Sequence, residues 1–345
     1  MGKHPDGGKD KDSELQRTVS FVDAPGHETL MAVMISGASI MDGALLLIAA
    51  NEHCPQPQTR EHLAALQIAG IENIVIVQNK VDLVTRERAI ESHNEISEFI
   101  AGTIAENAPI IPVSAHHDVN LDILIQAVED RIPTPERGDE DGMMHIARSF
   151  DINRPGTRPD GLKGGIIGGS IVRGRFSKGD NVVIAPGRRN TQGSKQKWTP
   201  IETRIMSMKG GGLDLEEMNA GGLCGISTPL DPAMTKADNL SGQVMARKGE
   251  LPPIWEVMSL DLTLLERMVA SEEGKADKVK PLALNEMLMI NAATATSVGV
   301  VNKVSKGATT LTLRLPICAP IGSRVTLSRR IDSRWRLIGH GTISG

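Results

Sequence analysis

Between residues 19 and 131, short aliphatic runs alternate with stretches whose apolar positions recur every three or four residues, the pattern of a parallel sheet covered by helices. The runs predict strands over 19–22, 44–50, 74–78 and 110–113. The helical periods predict helices over 59–69, 86–103 and 120–131, the last with Asn120 as its N-cap. Segment 132–142 is charged and rich in Pro and Gly, and so marks a boundary. Beyond it the pattern shortens to strands between Gly-rich turns, predicted over 145–150, 165–173, 181–185, 202–208 and 223–227. A second linker over 246–253 precedes strands over 256–264, 286–291, 296–303, 309–315, 324–330 and 335–344. The expected order is a polar tail (1–16), a truncated α/β unit with a parallel sheet (17–134), and two antiparallel β-barrels (143–245 and 252–345).

Composition narrows this little. Hydrophobic residues make up 40% and charged residues 23% of 345, as in an ordinary globular chain. No apolar run is long enough to cross a bilayer and no signal segment opens the chain, so no membrane partner and a cytoplasmic location are expected. Cys54, Cys224 and Cys318 lie far apart with no Cys-x-x-Cys pair, which predicts isolated thiols and no zinc site. The net charge of −4 means that any nucleic acid must be met by a local basic patch. The candidates are Arg173 with Arg175, Arg188 and Arg189 with Lys195 and Lys197, and Arg329, Arg330, Arg334 and Arg336 beside Trp335. With no Tyr and only four Phe, the chain offers few rings for base stacking besides its three Trp.

Three segments carry chemistry, in the order and spacing of a guanine-nucleotide site. Asp23-Ala-Pro-Gly26 follows a predicted strand, where open parallel sheets bind ligands. Asp23 there would hold Mg²⁺ through a water, Gly26 would let its N–H approach a terminal phosphate, and His27 would orient an attacking water as the catalytic residue. Asn79-Lys80-Val-Asp82 follows the predicted strand 74–78. The Asp82 carboxylate accepts from N1–H and the 2-amino group of guanine, a pair of donors that adenine does not present; Asn79 braces neighbouring loops and meets N7, and the Lys80 stem covers the base. Ser114-Ala115 completes the pocket, with a backbone N–H reaching O6. The expected ligands are therefore GTP or GDP with Mg²⁺. The Gly- and Lys-bearing opening Met1–Asp10 fails as a phosphate loop: it follows no strand, and Asp10 stands where the metal-binding hydroxyl belongs.

Beyond these motifs, the segments Phe21–Met31, Ala49–Glu52, Gln58–His62, Ala105–Pro109, Ala147–Asp151, Lys163–Gly165, Ile167–Ser170 and Arg334–Gly339 resemble the gamma subunit of archaeal and eukaryotic translation initiation factor 2, from about residue 17 to the end. The resemblance implies a translational GTPase with the plan of elongation factor Tu, binding GTP and initiator methionyl-tRNA, assembling with alpha and beta subunits, and delivering the tRNA to the small ribosomal subunit. It also implies a P-loop, a switch I segment and often a zinc knuckle, none of which is found in this sequence. Two alternatives follow: a non-hydrolysing tRNA- or subunit-binding scaffold, and a tRNA carrier of the Tu or selenocysteine type.

Overall fold

The computed structural model describes residues 17–23, 40–135, 141–192, 195–265, 278–331 and 334–345. The first unit is a three-stranded parallel sheet in the order β1 (Ala44–Ala49), β2 (Ile74–Asn79), β3 (Ile110–Pro112). Parallel neighbours need long crossovers, here α1 (Pro57–Ala69) and α2 (Arg86–Ile100), with α3 (Leu121–Arg131) following β3. Central β2 is buried on both faces, which is why it reads Ile-Val-Ile-Val without polar alternation. Leu46, Ile48, Ile74 and Ile76 of the sheet pack with Leu63 and Leu66 of α1 and Ile96 and Ile100 of α2. Helix α1 stops at Gly70, whose φ of 75° and N–H bond to the Gln67 carbonyl form a left-handed cap that favours glycine.

Three expectations for this unit need correction. Residues 19–22 form no strand: the segment 17–23 is irregular, and Val19, Phe21 and Val22 are exposed, Phe21 at 72%. A strand exists only through a ladder, and none of the described sheet strands pairs with this segment. It is tied down by polar contacts at its ends instead. Arg17 donates to Glu129 at 3.1 Å and to the Val128 carbonyl at 3.3 Å, and the Ser20 hydroxyl accepts from Leu223 N–H at 3.1 Å. Helix α2 ends at Ile100, not residue 103, because the Thr103 hydroxyl donates to the Ile100 carbonyl at 2.6 Å and closes the last turn. Asn120 does sit at the N-cap position of α3, but with φ 59° and no side-chain cap; its amide donates to the Pro112 carbonyl at 2.8 Å, tying the helix start to the end of β3.

The second unit contains β4 (Met143–Phe150), β5 (Ile166–Arg173), β6 (Arg175–Ser177), β7 (Asn181–Gln192), β8 (Lys195–Arg204), β9 (Ser207–Gly210), β10 (Leu213–Leu215), β11 (Glu217–Asn219), β12 (Cys224–Ser227), the short helix α4 (Pro232–Thr235) and β13 (Val244–Arg247). Eight strands form one ladder in the order β10-β9-β12-β5-β4-β13-β7-β8, and β11 pairs β6 separately. This sheet curls around fully buried Phe176, Met144, Ile146, Ile171, Ile184 and Ile226, with β10 and β8 left as its edges. The single strand expected over 202–208 is two, broken where Ile205 N–H turns to the Asp180 carbonyl at 3.0 Å and Met206 N–H to the Ser227 carbonyl at 2.8 Å.

The third unit is a closed antiparallel barrel of β14 (Ile254–Leu264), β15 (Met287–Ala292), β16 (Ala295–Ser305), β17 (Ala308–Cys318), β18 (Arg324–Ile331) and β19 (Arg334–Ile343), ordered β14-β17-β16-β15-β18-β19. The predicted α/β-plus-all-β architecture is the one observed.

Helix α1 docks onto this barrel. Ala65 and Ile68 pack with Leu337, Arg324 donates to the Ile68 carbonyl at 3.1 Å, and Arg336 pairs with Glu61 at 3.2 Å with both side chains largely buried. Met143, Ala185 and Val244 of the second unit pack against Cys318 of the third. Among the described residues, no helix is long and apolar enough to cross a membrane.

Candidate functional site

The guanine-recognition segments converge at the C-terminal ends of β2 and β3, where an open parallel sheet presents its loops. Asn79 closes β2, and its side-chain oxygen accepts from Lys80 N–H at 2.8 Å and from Ala115 N–H at 3.2 Å. One amide therefore clamps the Asn79–Asp82 loop to the loop after β3, as its bracing role requires. Lys80 adopts φ 63° and turns the chain into a single 3₁₀ turn, Val81–Leu83, which carries Asp82; Val81 N–H bonds to the Val113 carbonyl at 3.3 Å.

Ser114 is 1% exposed, held by an exchange of N–H bonds with Val119 at 3.3 and 3.0 Å. The Ser114 hydroxyl, beside the Asp82 carboxyl, is the main force holding that carboxyl below its usual pKa; nearby His117 and His116 act in the same direction. His117 Nε2 stands 3.8 Å from Asp82 Oδ2. A carboxylate kept ionised, partly open and fixed beside a buried hydroxyl is an acceptor suited to two adjacent N–H donors. One detail of the base reading shifts. Ser114 N–H is engaged by Val119, and Ala115 N–H, the donor next in line for a purine O6, is engaged by Asn79, so a base must share or displace that bond.

The phosphate side is different. Asp23 is exposed and is not delivered by a sheet strand, while Gly26 and His27 lie outside the described residues. A surface cleft lined by His93, Ser97, Ile100 and Ile110 opens near the start of β3, at the opposite end of the sheet from Asp82.

A feature that the sequence reading missed sits behind the base loop. Thr85, three residues past Asp82, caps α2 by accepting from Arg88 N–H at 3.3 Å. Arg88 grips Glu95 at 2.8 and 3.2 Å and donates to the Glu52 carbonyl at 2.8 Å; Glu95 also accepts from Cys54 N–H at 2.8 Å and pairs with His53 at 3.1 Å. The spacing of Arg88 and Glu95, two helical turns apart, was the available signal. This network fastens the loop between β1 and α1 to the helix that follows the base motif. Arg88 holds the Glu95 carboxyl down to about 2. The unfolded chain takes up that proton first as pH falls, so the Glu95 contribution is complete above about pH 4.5 and is lost as pH falls through about 2. Glu95→Gln is expected to remove about 2 kcal/mol at neutral pH and to flatten the stability curve across this acid window, as read by urea unfolding at stepped pH.

The three thiols are free and buried; burial pushes Cys54 to about 11 and Cys224 and Cys318 to about 12, as isolated structural cysteines require. The last basic cluster is largely spent within the barrel. Arg329 pairs with Glu286 and donates to the Lys280 carbonyl at 3.0 Å, and Arg336 holds Glu61, which leaves exposed Arg330 as the better placed for an outside phosphate.

The chain is similar to known proteins over most of its length. Residues 12–134 match the elongation factor Tu GTP binding domain family, and residues 256–343 match the family of initiation factor eIF2 gamma, C terminal. Translation initiation factor 2 subunit gamma of Methanocaldococcus jannaschii is 54% identical over 97% of this chain and 81% of its own length. The protein of the same name from Haloquadratum walsbyi is 52% identical over 98% of this chain and 82% of its own length. Among solved structures, translation elongation factor SelB from Methanococcus maripaludis, in complex with a GTP analogue, aligns with a TM-score of 0.72 at 20% identity over 94% of this chain and 70% of that one, a likeness of fold.

Proposed function

Because the chain belongs to the gamma-subunit family of translation initiation factor 2, a family of translational GTPases, we propose that it binds guanine nucleotide at Asn79, Lys80, Asp82, Ser114 and Ala115 and carries initiator methionyl-tRNA to the small ribosomal subunit, in the cytoplasm and together with alpha and beta subunits. The observation that supports the nucleotide reading is the double acceptance by Asn79, which ties the Asp82 loop to the Ser114 loop. Asp82 takes the N1–H and 2-amino donors, Asn79 meets N7, the Lys80 stem covers the ring, and Ala115 N–H turns toward O6. Two parallel N–H bonds to one carboxylate select guanine over adenine because adenine would leave the ionised acceptor desolvated and unpaired.

On the phosphate side, Asp23 would hold Mg²⁺ through water, Gly26 N–H would meet the terminal phosphate and His27 would orient the attacking water. When bound, Mg²⁺ supplies the positive charge that the transferred phosphoryl group needs. The exposed, strandless setting of Asp23 favours one second reading: a non-hydrolysing scaffold that binds tRNA or the other subunits. Likeness to selenocysteine-type factors is one of fold and supports no third.

Filter binding of initiator methionyl-tRNA to the chain assembled with alpha and beta subunits is the test of delivery. Tighter retention with GTP than with GDP is expected, and equal retention would refute a nucleotide-controlled carrier.

A further inference from the structure

Strands β7 and β8 are longer than the sheet that holds them. Residues 182–185 of β7 pair with β13, and 182–184 with β8 as well, but from Arg188 to Gln192 the only ladder partner among the described strands is β8, in the register Arg188↔Thr199, Arg189↔Trp198, Asn190↔Lys197, Thr191↔Gln196, Gln192↔Lys195. The distal half is therefore a two-stranded ribbon leaving the edge of the curled sheet. Its root is rigid. The buried Gln243 amide both accepts from Gly187 N–H at 2.8 Å and donates to the Gly187 carbonyl at 3.0 Å, and a Cβ at Gly187 would stand 2.0 Å from the Thr199 carbonyl oxygen, so the strands cross there at glycine distance. An isolated two-stranded ribbon is marginal in water, so a firmly rooted one that extends into solvent fits a docking arm.

The chemistry of the arm is one-sided. Residues 186–201 contain four cations and no Asp or Glu, in a chain whose net charge is −4. Elsewhere in this unit several cations are matched, as Arg247 is by Asp180 at 2.7 Å and Lys248 by Glu202 at 2.9 Å. Paired residues on a ribbon share a face, so Arg188, Thr199, Asn190 and Lys197 line one side, and Arg189 and Trp198 the other. Arg188, Arg189 and Lys197 are exposed and Trp198 half-buried. Cations interleaved with short amide and hydroxyl donors are the groups that contact phosphate and sugar, and a ring flanked by an arginine is a platform for an unpaired base.

We propose that the β7–β8 ribbon is an RNA-binding arm, taking sugar-phosphate backbone on its Arg188/Lys197 face and stacking an unpaired base on Trp198. The choice of RNA over DNA rests on the translation-factor reading above; the phosphate chemistry does not.

The test titrates the full-length chain with a labelled RNA hairpin bearing an unpaired loop, and with the same stem as a blunt duplex, between about 50 and 200 mM KCl. Two lost phosphate contacts at about 0.7 each predict that the double variant Arg188→Gln, Lys197→Gln lowers the log–log salt slope by about 1.4. Trp198→Ala is expected to weaken the hairpin about tenfold and leave the duplex unchanged, with Trp198→Phe restoring much of the loss. An unchanged slope in that double variant with parental circular dichroism overturns the proposal. So does loss of binding to a polyglutamate peptide with RNA affinity intact, which would assign the arm to an acidic protein. Binding of labelled GDP, measured on the same samples, separates the two readings: its absence alongside the predicted salt slope would sink the nucleotide assignment and leave the arm standing.

Discussion

Arg336→Met is expected to lower the unfolding free energy of the third barrel and docked α1 by about 3–5 kcal/mol. The reason lies in what remains. Arg336 and Glu61 pair at 3.2 Å with side chains only 15% and 7% exposed, so removing the guanidinium takes this cation away from a carboxylate buried between helix and barrel. That carboxylate must stay ionised without its cation, take up a proton, or pull the helix away from Leu337. Urea unfolding followed by tryptophan emission is well placed to see this, because Trp255 and Trp335 lie in the barrel. The double variant Glu61→Leu, Arg336→Met removes both charges and is expected to recover most of the loss, since apolar replacement of a buried pair is often neutral or better. A single variant as stable as the parent would mean that the pair contributes nothing to docking.

The second large effect is on ligand choice. Asp82→Asn is expected to weaken GDP binding at least a hundredfold, about 3 kcal/mol, because the amide offers one acceptor and one donor where guanine presents two donors. The same exchange suits xanthine, whose 2-position is a carbonyl, so xanthosine diphosphate is expected to gain on GDP in competition. The fold should be undisturbed, since Asp82 sits on a surface turn. Equal loss for both bases would point to a collapsed loop and not to recognition by Asp82.

How legible this was in the sequence varied with the physics. Closed-barrel strands could be read to within a few residues because β16 and β17 largely alternate between a filled interior and solvent, while β15 is a continuous buried apolar run. The base pocket could be read because its residues are local: Asn79, Lys80 and Asp82 lie within four positions, and β2 before them is apolar throughout. What failed depended on distant partners. The apolar pattern of residues 19–22 matches a strand, but a strand needs a ladder, and the segment is held by Glu129 and Leu223, more than a hundred positions away. Asn120 looked like a cap from its neighbours, yet its amide serves Pro112. Arg329 and Arg336 looked like free cations because Glu286 and Glu61 are remote in sequence. The β7–β8 ribbon was read only as a basic cluster and a strand over 181–185, because Arg188, Arg189, Lys197 and Thr199 are exposed and no apolar alternation marks its distal half.

The measurement that tests the central claim most directly is equilibrium displacement of labelled GDP from the full-length chain by unlabelled GDP and ADP, with Mg²⁺ present. Saturable binding displaced by GDP and not by a hundredfold excess of ADP is the predicted result. No saturable binding, or equal displacement by both, would contradict the assignment of Asn79, Asp82 and Ser114 as a guanine pocket.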